Sequence, residues 1–341
     1  MIEWLNSISN TVSLTAVLAE RDTWISEHLS TLIKVFKSEA PQVKNIAGNI
    51  VSIVKLYIHI KKTKPDIIHI QSGLVWEIIP VILSRIPTII TIHDVVRHPT
   101  RHRGNGTPQW ILDIPIRFMR GLIVHGDFLK DTARIRYRFR GLIEANYHPV
   151  IKRYGSREPR ISEAKNVLFY GTLDEWKGLE YLAKAILVLN KQGLDINFII
   201  AGYAADPDYY TTLFKDCRNT SIFTNRQSAE QTRQLFENAD ILVMPYIEAS
   251  QSGVLHLGIS FCLPTIVTNV GSLPEVVTNG VSAVVIRPCE ADELAKAISN
   301  MYSNSELRNN LSIGMKQLRD VKMSDKVIAE RTLNIYLKAL G

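Results

Sequence analysis

A rhythm in the chain constrains its fold more than any other feature. Short runs rich in valine, isoleucine and phenylalanine alternate with segments of helical period, the pattern of βαβ units and parallel sheets. In the first half, strands are expected at residues 12–17, 66–70, 88–92 and 121–125, with helices at 24–36, 46–63 and 75–83. In the second half, strands at 166–170, 195–201, 221–224, 241–244, 265–268 and 283–286 are clearer. Helices at 178–192, 208–215, 228–238, 253–262, 273–279 and 290–303 separate them. The tail from 306 to 341 reads as two helices broken near Met323-Ser324-Asp325, where Ser324 or Asp325 can cap the second.

Two such series in 341 residues exceed what one core holds. Residues 146–160, with two prolines, a glycine and several charges, form the natural linker. The expected organisation is an N-terminal Rossmann-like domain over 1–150, a second over 151–322, and a C-terminal helix over 323–341 packing back on the first domain. In doubly wound α/β sheets ligands bind beyond the carboxyl ends of the strands, here expected in a cleft between the domains.

Composition narrows the class further. With 46% hydrophobic and 21% charged residues, the chain is neither disordered nor fibrous. Cys217, Cys262 and Cys289 are odd in number and widely spaced, which excludes a disulfide framework or a zinc ribbon and fits a reducing, cytoplasmic compartment. The opening residues Met1-Ile2-Glu3-Trp4 lack the basic and apolar regions of a secretory leader. The most apolar stretch, 74–92, is interrupted by Glu77, Pro80, Arg85 and Pro87, so no spanning helix is expected.

The net charge of +7 is lopsided. Residues 1–150 hold 19 lysines and arginines against 12 acidic residues, whereas residues 151–341 balance at 21 of each. Much of the excess lies in Arg97-His98-Pro99-Thr100-Arg101-His102-Arg103 and in Arg134-Ile135-Arg136-Tyr137-Arg138-Phe139-Arg140. Either this is a solvated basic face, or it meets an anionic partner. Nucleic acid is the weaker option, because no recognition motif accompanies the charge. A membrane surface is better supported, since Phe118, Met119, Leu122, Ile123, Phe128 and Leu129 precede the second basic run.

Two stretches carry chemistry. In the first, a buried strand ends at Gly171, a loop follows with Thr172 and Lys177, and a helix begins at Gly178. Glycine lets a ligand approach the backbone, lysine supplies a point charge, and the amides of a helix start favour an anion. The spacing is not that of a P-loop. In the second, a strand ends at Pro245-Tyr246, a loop carries Glu248 and Gln251, and Ser252-Gly253-Val254 open a helix containing His256. That start suits a diphosphate, and Glu248 is an acceptor suited to sugar hydroxyls.

These stretches, with Pro264-Thr-Ile-Val-Thr-Asn-Val-Gly271-Ser-Leu-Pro-Glu275, resemble the nucleotide-binding half of a GT-B glycosyltransferase. The nearest likeness is to the large retaining family 4, with its G-x-L-x-x-x-K-G loop, its E-x7-E junction and its P-V-I-x-T-x-V-G-G-x-P-E segment. The subset with P-Y-x-x-x-x-Q-S-G-V is closest, and the match spans about 120 residues. The resemblance implies two Rossmann-like domains facing across a cleft, with no cofactor beyond the nucleotide-sugar co-substrate. It implies a donor site of Gly171, Thr172, Lys177, Glu248, Gln251, Ser252, Gly253, Val254 and His256. Lys177 would neutralise the diphosphate, and Glu248 would hold the donor sugar. Two positions depart from the family: Thr172 stands where an arginine is usual, and His256 where the second acid grips the ribose.

In the first half, the expected strand at 88–92 ends in His93-Asp94, and family relatives carry a histidine at this place lining the acceptor and donor-sugar cleft. His93 is therefore expected beside Lys177 and Glu248 in catalysis, with Asp94, His98, Arg101 and His125 on the acceptor side. The chain opens on what corresponds to the end of the family's first helix, so the first strand and its glycine-rich loop are expected to be missing. No Asp-x-Asp ends a strand, so no metal is expected. The implied function is metal-independent, retaining transfer of a sugar from a nucleotide-diphosphate donor to a saccharide or lipid-linked acceptor. Bacterial surface polysaccharide or glycolipid assembly at the inner face of the membrane is the expected setting. The alternative is an inactive homologue serving as a binding or partner subunit. An epimerase or phosphorylase on the same scaffold is the third reading, lacking the extra cleft acids or cofactor lysine each would need.

Overall fold

The computed structural model describes residues 2–9, 11–19, 29–38, 46–71, 75–95, 109–160 and 165–341. Its described residues form two compact α/β units, one holding the first half together with Asp325–Gly341, the other holding Val150–Ser324.

In the first unit, β1 (Thr15–Ala19) pairs in parallel with β2 (Lys34–Ser38). A separate four-stranded parallel sheet follows chain order: β3 (Ile68–Ile70), β4 (Thr88–Ile92), β5 (Gly121–Val124) and β6 (Leu142–Ala145). The helix expected at 24–36 is overturned where it can be seen, because Lys34–Ser38 is a strand; residues 20–28 lie outside the described residues. Of its two adjacent apolar residues Val35 is exposed, while Phe36 packs beside Leu56 and Ile60 of the helix Ile46–Thr63.

The helix Asp325–Leu340 completes this unit. Ile335 and Ala339 pack on Ile89 and Ile123 of the sheet. The Arg120 Nε donates to the Ala339 carbonyl at 3.0 Å, and Asn146 donates to the Ile328 carbonyl and to Thr332 Oγ1.

The second unit is one six-stranded parallel sheet. Its strands are β7 (Asn166–Tyr170), β8 (Asn197–Ala201), β9 (Thr220–Phe223), β10 (Ile241–Met244), β11 (Thr265–Thr268) and β12 (Ala283–Ile286). Across the sheet they run β9-β8-β7-β10-β11-β12, the 3-2-1-4-5-6 order of dinucleotide-binding sheets. The order reverses between β7 and β10, so the loops leaving those two strands flank the crevice where such sheets hold ligands. The linker's far end belongs to this unit. Arg157 donates to the Glu237 and Ala239 carbonyls at 2.7 and 3.1 Å, satisfying acceptors at the end of the helix Ala229–Asn238. The buried Arg319 clasps the Arg157 carbonyl and the Glu158 carboxylate.

One surface reading is corrected. Of the apolar residues before the second basic run, Met119 in the turn before β5, Leu122 and Ile123 in β5, and Leu129 on the inner face of the helix Phe128–Tyr137 are core. Phe118 and Phe128 remain exposed. No described helix is long and apolar enough to cross a membrane.

Candidate functional site

The loop after β7 is shaped by glycine. Gly171 has φ +129, and its amide donates to the Ala201 carbonyl at 3.0 Å. The chain then forms a single turn, Glu175–Lys177, closed by Gly178 at φ +69 before the helix Leu179–Lys191 begins. A side chain at Gly178 would put its Cβ 1.9 Å from the Pro245 carbonyl oxygen, so this position requires glycine twice over. That close approach locks the lysine turn against the loop leaving β10. The Ile247 amide donates to the Trp176 carbonyl at 2.9 Å, tying the same two loops together.

Lys177 is 5% exposed, a rare state for lysine. Its Nζ lies 3.6 Å from the ring centre of Tyr246 and 4.0 Å from that of Trp176. Two aromatic faces therefore hold the ammonium in place, a contact that contributes about 0.5–2 kcal/mol per ring when desolvated. Tyr246 is fully buried, and burial pushes its phenol well above the usual tyrosine range, so the ring stays neutral. Its hydroxyl meets Ser252 Oγ at 3.3 Å.

Ser252 precedes the helix Gly253–Ser260, with its side chain turned to Tyr246 instead of capping the helix. The amides of Gly253 and Val254 lie in a first turn that has no earlier helical carbonyl to serve them. Across from them, a Cβ on Gly171 would meet Val254 Cγ2 at 3.4 Å. Gly171, Lys177 and the start of this helix thus converge at one end of β7 and β10. His256, in the same helix, is buried; Thr172 and Glu248 are exposed, and Gln251 is half-buried.

The loop 245–252 is stapled from the other side. Thr268 Oγ1 donates to the Tyr246 carbonyl at 2.7 Å, and Ser272 Oγ donates to the Ser250 carbonyl at 2.6 Å. Gly271, at φ +53, lets the Ala249 carbonyl approach to where a Cβ would stand 1.7 Å away. The segment 264–275 is therefore a clamp for the Glu248 loop, a role its spacing alone did not reveal.

In the first unit, His93 follows β4 and His125 follows β5. His125 Nε2 lies 3.0 Å from His93 Nδ1, His125 Nδ1 faces the Asn146 carbonyl at 3.2 Å, and His93 Nε2 faces the Gln71 carbonyl at 3.2 Å. His69 reaches Tyr336 Oη through Nδ1 and Thr91 Oγ1 through Nε2, at 2.6 and 2.7 Å. His148 donates from Nδ1 to the Pro149 carbonyl at 2.8 Å. Burial, first of all, lowers His69 and His125 to about 3 and His148 to about 4. This polar ring of His69, Gln71, Thr91, His93, His125 and His148 lines one pocket, and only His93 and His125 were expected from sequence. Asp94 points to the exposed surface; His98 and Arg101 lie outside the described residues. Among the described residues, no group of three or more His, Cys, Asp or Glu side chains could hold a metal ion.

Comparison with known proteins gives the context of this geometry. Residues 154–317 match the family described as "Glycosyl transferases group 1". An uncharacterized glycosyltransferase of Methanocaldococcus jannaschii is 26% identical over 181 residues, which is 52% of this chain and 46% of that protein. The alpha-D-kanosaminyltransferase of Streptomyces kanamyceticus is 25% identical over 199 residues, 57% of this chain and 49% of that one. The chain thus spans about half the length of these curated relatives. Among solved structures, Anabaena HepE in complex with UDP has TM-score 0.73 and 16% identity, covering 99% of this chain and 94% of that one. A glycosyltransferase from Rickettsia africae has TM-score 0.72 and 17% identity, covering 99% and 93%. The fold is therefore α/β of the GT-B kind, with two Rossmann-like parallel-sheet units, and the group 1 match falls within the second unit.

Proposed function

We propose that this chain transfers a sugar from a nucleotide-diphosphate donor, with retention of the anomeric configuration and without a metal, in the manner of family 4. The observation that carries this reading is the junction of two loops where the strand order reverses. There Lys177, held between Trp176 and Tyr246, stands with the turn at Gly171 and the helix start at Gly253. A leaving diphosphate needs negative charge neutralised at a fixed point, and a caged ammonium beside unserved amides provides it without reorganisation. Lys177 would then hold the diphosphate with Ser252, Gly253 and Val254, while Gly171 and Thr172 let it approach. Glu248 and Gln251 would bind sugar hydroxyls, and His256 the ribose. His93 would face the donor sugar, with Asp94, His98, Arg101 and His125 toward the acceptor. Relatives with transferase names and a HepE structure holding UDP-glucose favour a nucleotide sugar as donor.

A saccharide or lipid-linked acceptor at an anionic membrane fits the excess of basic residues in the first half. Exposed Ile50, Val54 and Ile58 on the helix Ile46–Thr63, alongside Lys55, Lys61 and Lys62, would suit such a surface. Flotation with vesicles of anionic and of neutral lipid tests this, and equal recovery with both would exclude it.

The test of the main reading is a thermal-shift and calorimetric screen of nucleoside diphosphates and nucleotide sugars. One nucleotide should bind, and Lys177→Met should weaken it by roughly 10- to 100-fold, the worth of a charge-assisted contact. Glu248→Gln should keep nucleotide affinity within about threefold yet abolish transfer. A chelator should leave transfer intact. Failure of every nucleotide to bind would end this reading. A second reading, a binding subunit that has lost turnover, is favoured by Thr172 and His256 at positions where the family carries charge. It would bind nucleotide but transfer nothing, with or without Glu248→Gln.

A further inference from the structure

The four ring nitrogens of His93 and His125 form an unbroken chain between two backbone carbonyls. Reading along it, the Gln71 oxygen faces His93 Nε2, His93 Nδ1 faces His125 Nε2, and His125 Nδ1 faces the Asn146 oxygen. A carbonyl oxygen only accepts, so each terminal nitrogen must carry hydrogen. The central contact needs one hydrogen of its own. Three protons on two imidazoles make the pair a monocation, since two neutral rings carry only two.

A neutral pair cannot satisfy this geometry. Either the two central nitrogens face each other lone pair to lone pair, or one terminal nitrogen turns its lone pair to a carbonyl oxygen. We propose that His93 and His125 share one proton and titrate as a unit, so that His125 is the positioning residue that fixes the ring and charge of His93. Loss of that proton frees His93 from either Gln71 or His125.

The surroundings agree on where the charge resides. Burial, with His148 and His93 adding to it, disfavours a charge on His125, whose Nδ1 faces the Asn146 carbonyl. The groups packed around the pair are His69 and Gln71 at β3, Thr91 in β4, and Asn146, Tyr147 and His148 after β6. Ile328 and Thr332 come from the C-terminal helix, whose Tyr336 bonds His69. No carboxylate lines this pocket among the described residues, and the neighbouring Asp94 and Asp127 are exposed. The contacts of the nitrogen chain to Gln71 and Asn146 are thus the interactions that oppose burial and the other histidines.

The importance of this for sugar transfer rests on the reading above, but the proton does not. Histidine-labelled protein, followed by nitrogen-15 shifts from pH 5.5 to 9, reads it without any activity. The expected result is a His93 ring with both nitrogens protonated at the acid end and one titration step, felt at once by both rings, while His125 keeps its Nδ1–H tautomer. His125→Phe removes the central acceptor, so His93 needs only one proton, toward Gln71, and its step should move down by at least about one pH unit. His125→Gln, whose amide oxygen can accept from Nδ1, should restore the step. A His93 ring with a single protonated nitrogen across the whole range overturns the proposal, as does a step unmoved in His125→Phe. If His125→Phe does not fold, the parent spectrum alone decides between shared and separate titration. Should the pair behave as expected while no nucleotide binds, the proton sharing stands and the glycosyltransferase reading falls.

Discussion

The two units place their chemistry at the same end of a parallel sheet by opposite means. In the second unit the groups come from the loops of two neighbouring strands: a glycine turn, one lysine, and a helix start, stapled by close backbone approaches at Gly178 and Gly271 and by the Thr268 hydroxyl. In the first unit they come from side chains collected from four strands and the last helix, with partners as far apart as His69 and Tyr336. A loop-built site tolerates burial of its neighbours because backbone supplies the polarity. A side-chain ring must itself be buried and must stay hydrogen-bonded, so it inherits the titration of its members.

The largest expected effect follows from that difference. His69, His125 and His148 have folded values near 3, 3 and 4, below the unfolded value of 6.5. Because these values are depressed, their contribution is complete above pH 6.5 and is lost as acidification protonates the unfolded chain first. Between pH 7 and pH 5 each costs about 2 kcal/mol, so the first unit should lose up to about 6 kcal/mol. Residues 150–324 contain one histidine, His256, and the lowered carboxyls Glu158 and Asp320 release their contribution only at lower pH. Hydrogen exchange at pH 7 and pH 5 should show protection falling in residues 121–145 while residues 166–286 hold. Uniform loss in both units would erase the distinction.

Next in size is Gly178→Ala. The left-handed backbone costs roughly 1–2 kcal/mol for any L side chain, and collision with the Pro245 carbonyl adds to it, for a total of at least about 3 kcal/mol. Gly193→Ala is the matched control. Its φ is +73, yet nothing lies within 4 Å of the added Cβ, so only the backbone penalty should appear. Equal urea midpoints for the two variants would mean that the loops are not locked together as described.

Tyr246→Leu comes third. It removes the ring beneath Lys177 and the hydroxyl that meets Ser252, so nucleotide affinity should fall by about tenfold, whereas Tyr246→Phe should cost only a few-fold. Equal losses would show that the hydroxyl, not the aromatic face, places the lysine.

How much of this was legible in the sequence divides along the same line. β7, β10 and β11 stand where their apolar runs predicted, because central parallel strands are buried on both faces and read as continuous hydrophobic stretches. β2 and β6 escaped: Lys34–Ser38 has its two apolar residues adjacent, with no period of two, and Leu142–Ala145 is four residues long with a glutamate inside. The lysine turn and the helix start were legible because glycine and helix-start chemistry are local. The Tyr246 platform was not, since it depends on a contact between loops that leave different strands. The histidine ring was still less so. His69, His148 and Tyr336 have no spacing that links them, and only the sheet register and the returning helix bring them together.

The smallest effect tests the staple itself. Thr268 is 1% exposed, and its hydroxyl donates to the Tyr246 carbonyl. Thr268→Val keeps the shape and removes the donor, leaving a buried carbonyl without that partner at a cost of about 1 kcal/mol. The sheet should remain, since β11 pairs through its backbone with β10 and β12. Tyr246, however, carries both the lysine platform and the contact to Ser252, so a small shift of its backbone reaches both. Nucleotide affinity should therefore drop two- to threefold although residue 268 touches no ligand, and the same swap at Thr265, which bonds the Leu263 carbonyl on the far side of the strand, should leave affinity unchanged. If both variants bind nucleotide like the parent, the clamp serves folding alone, and the loop-built site owes its geometry to Gly178 and Gly271.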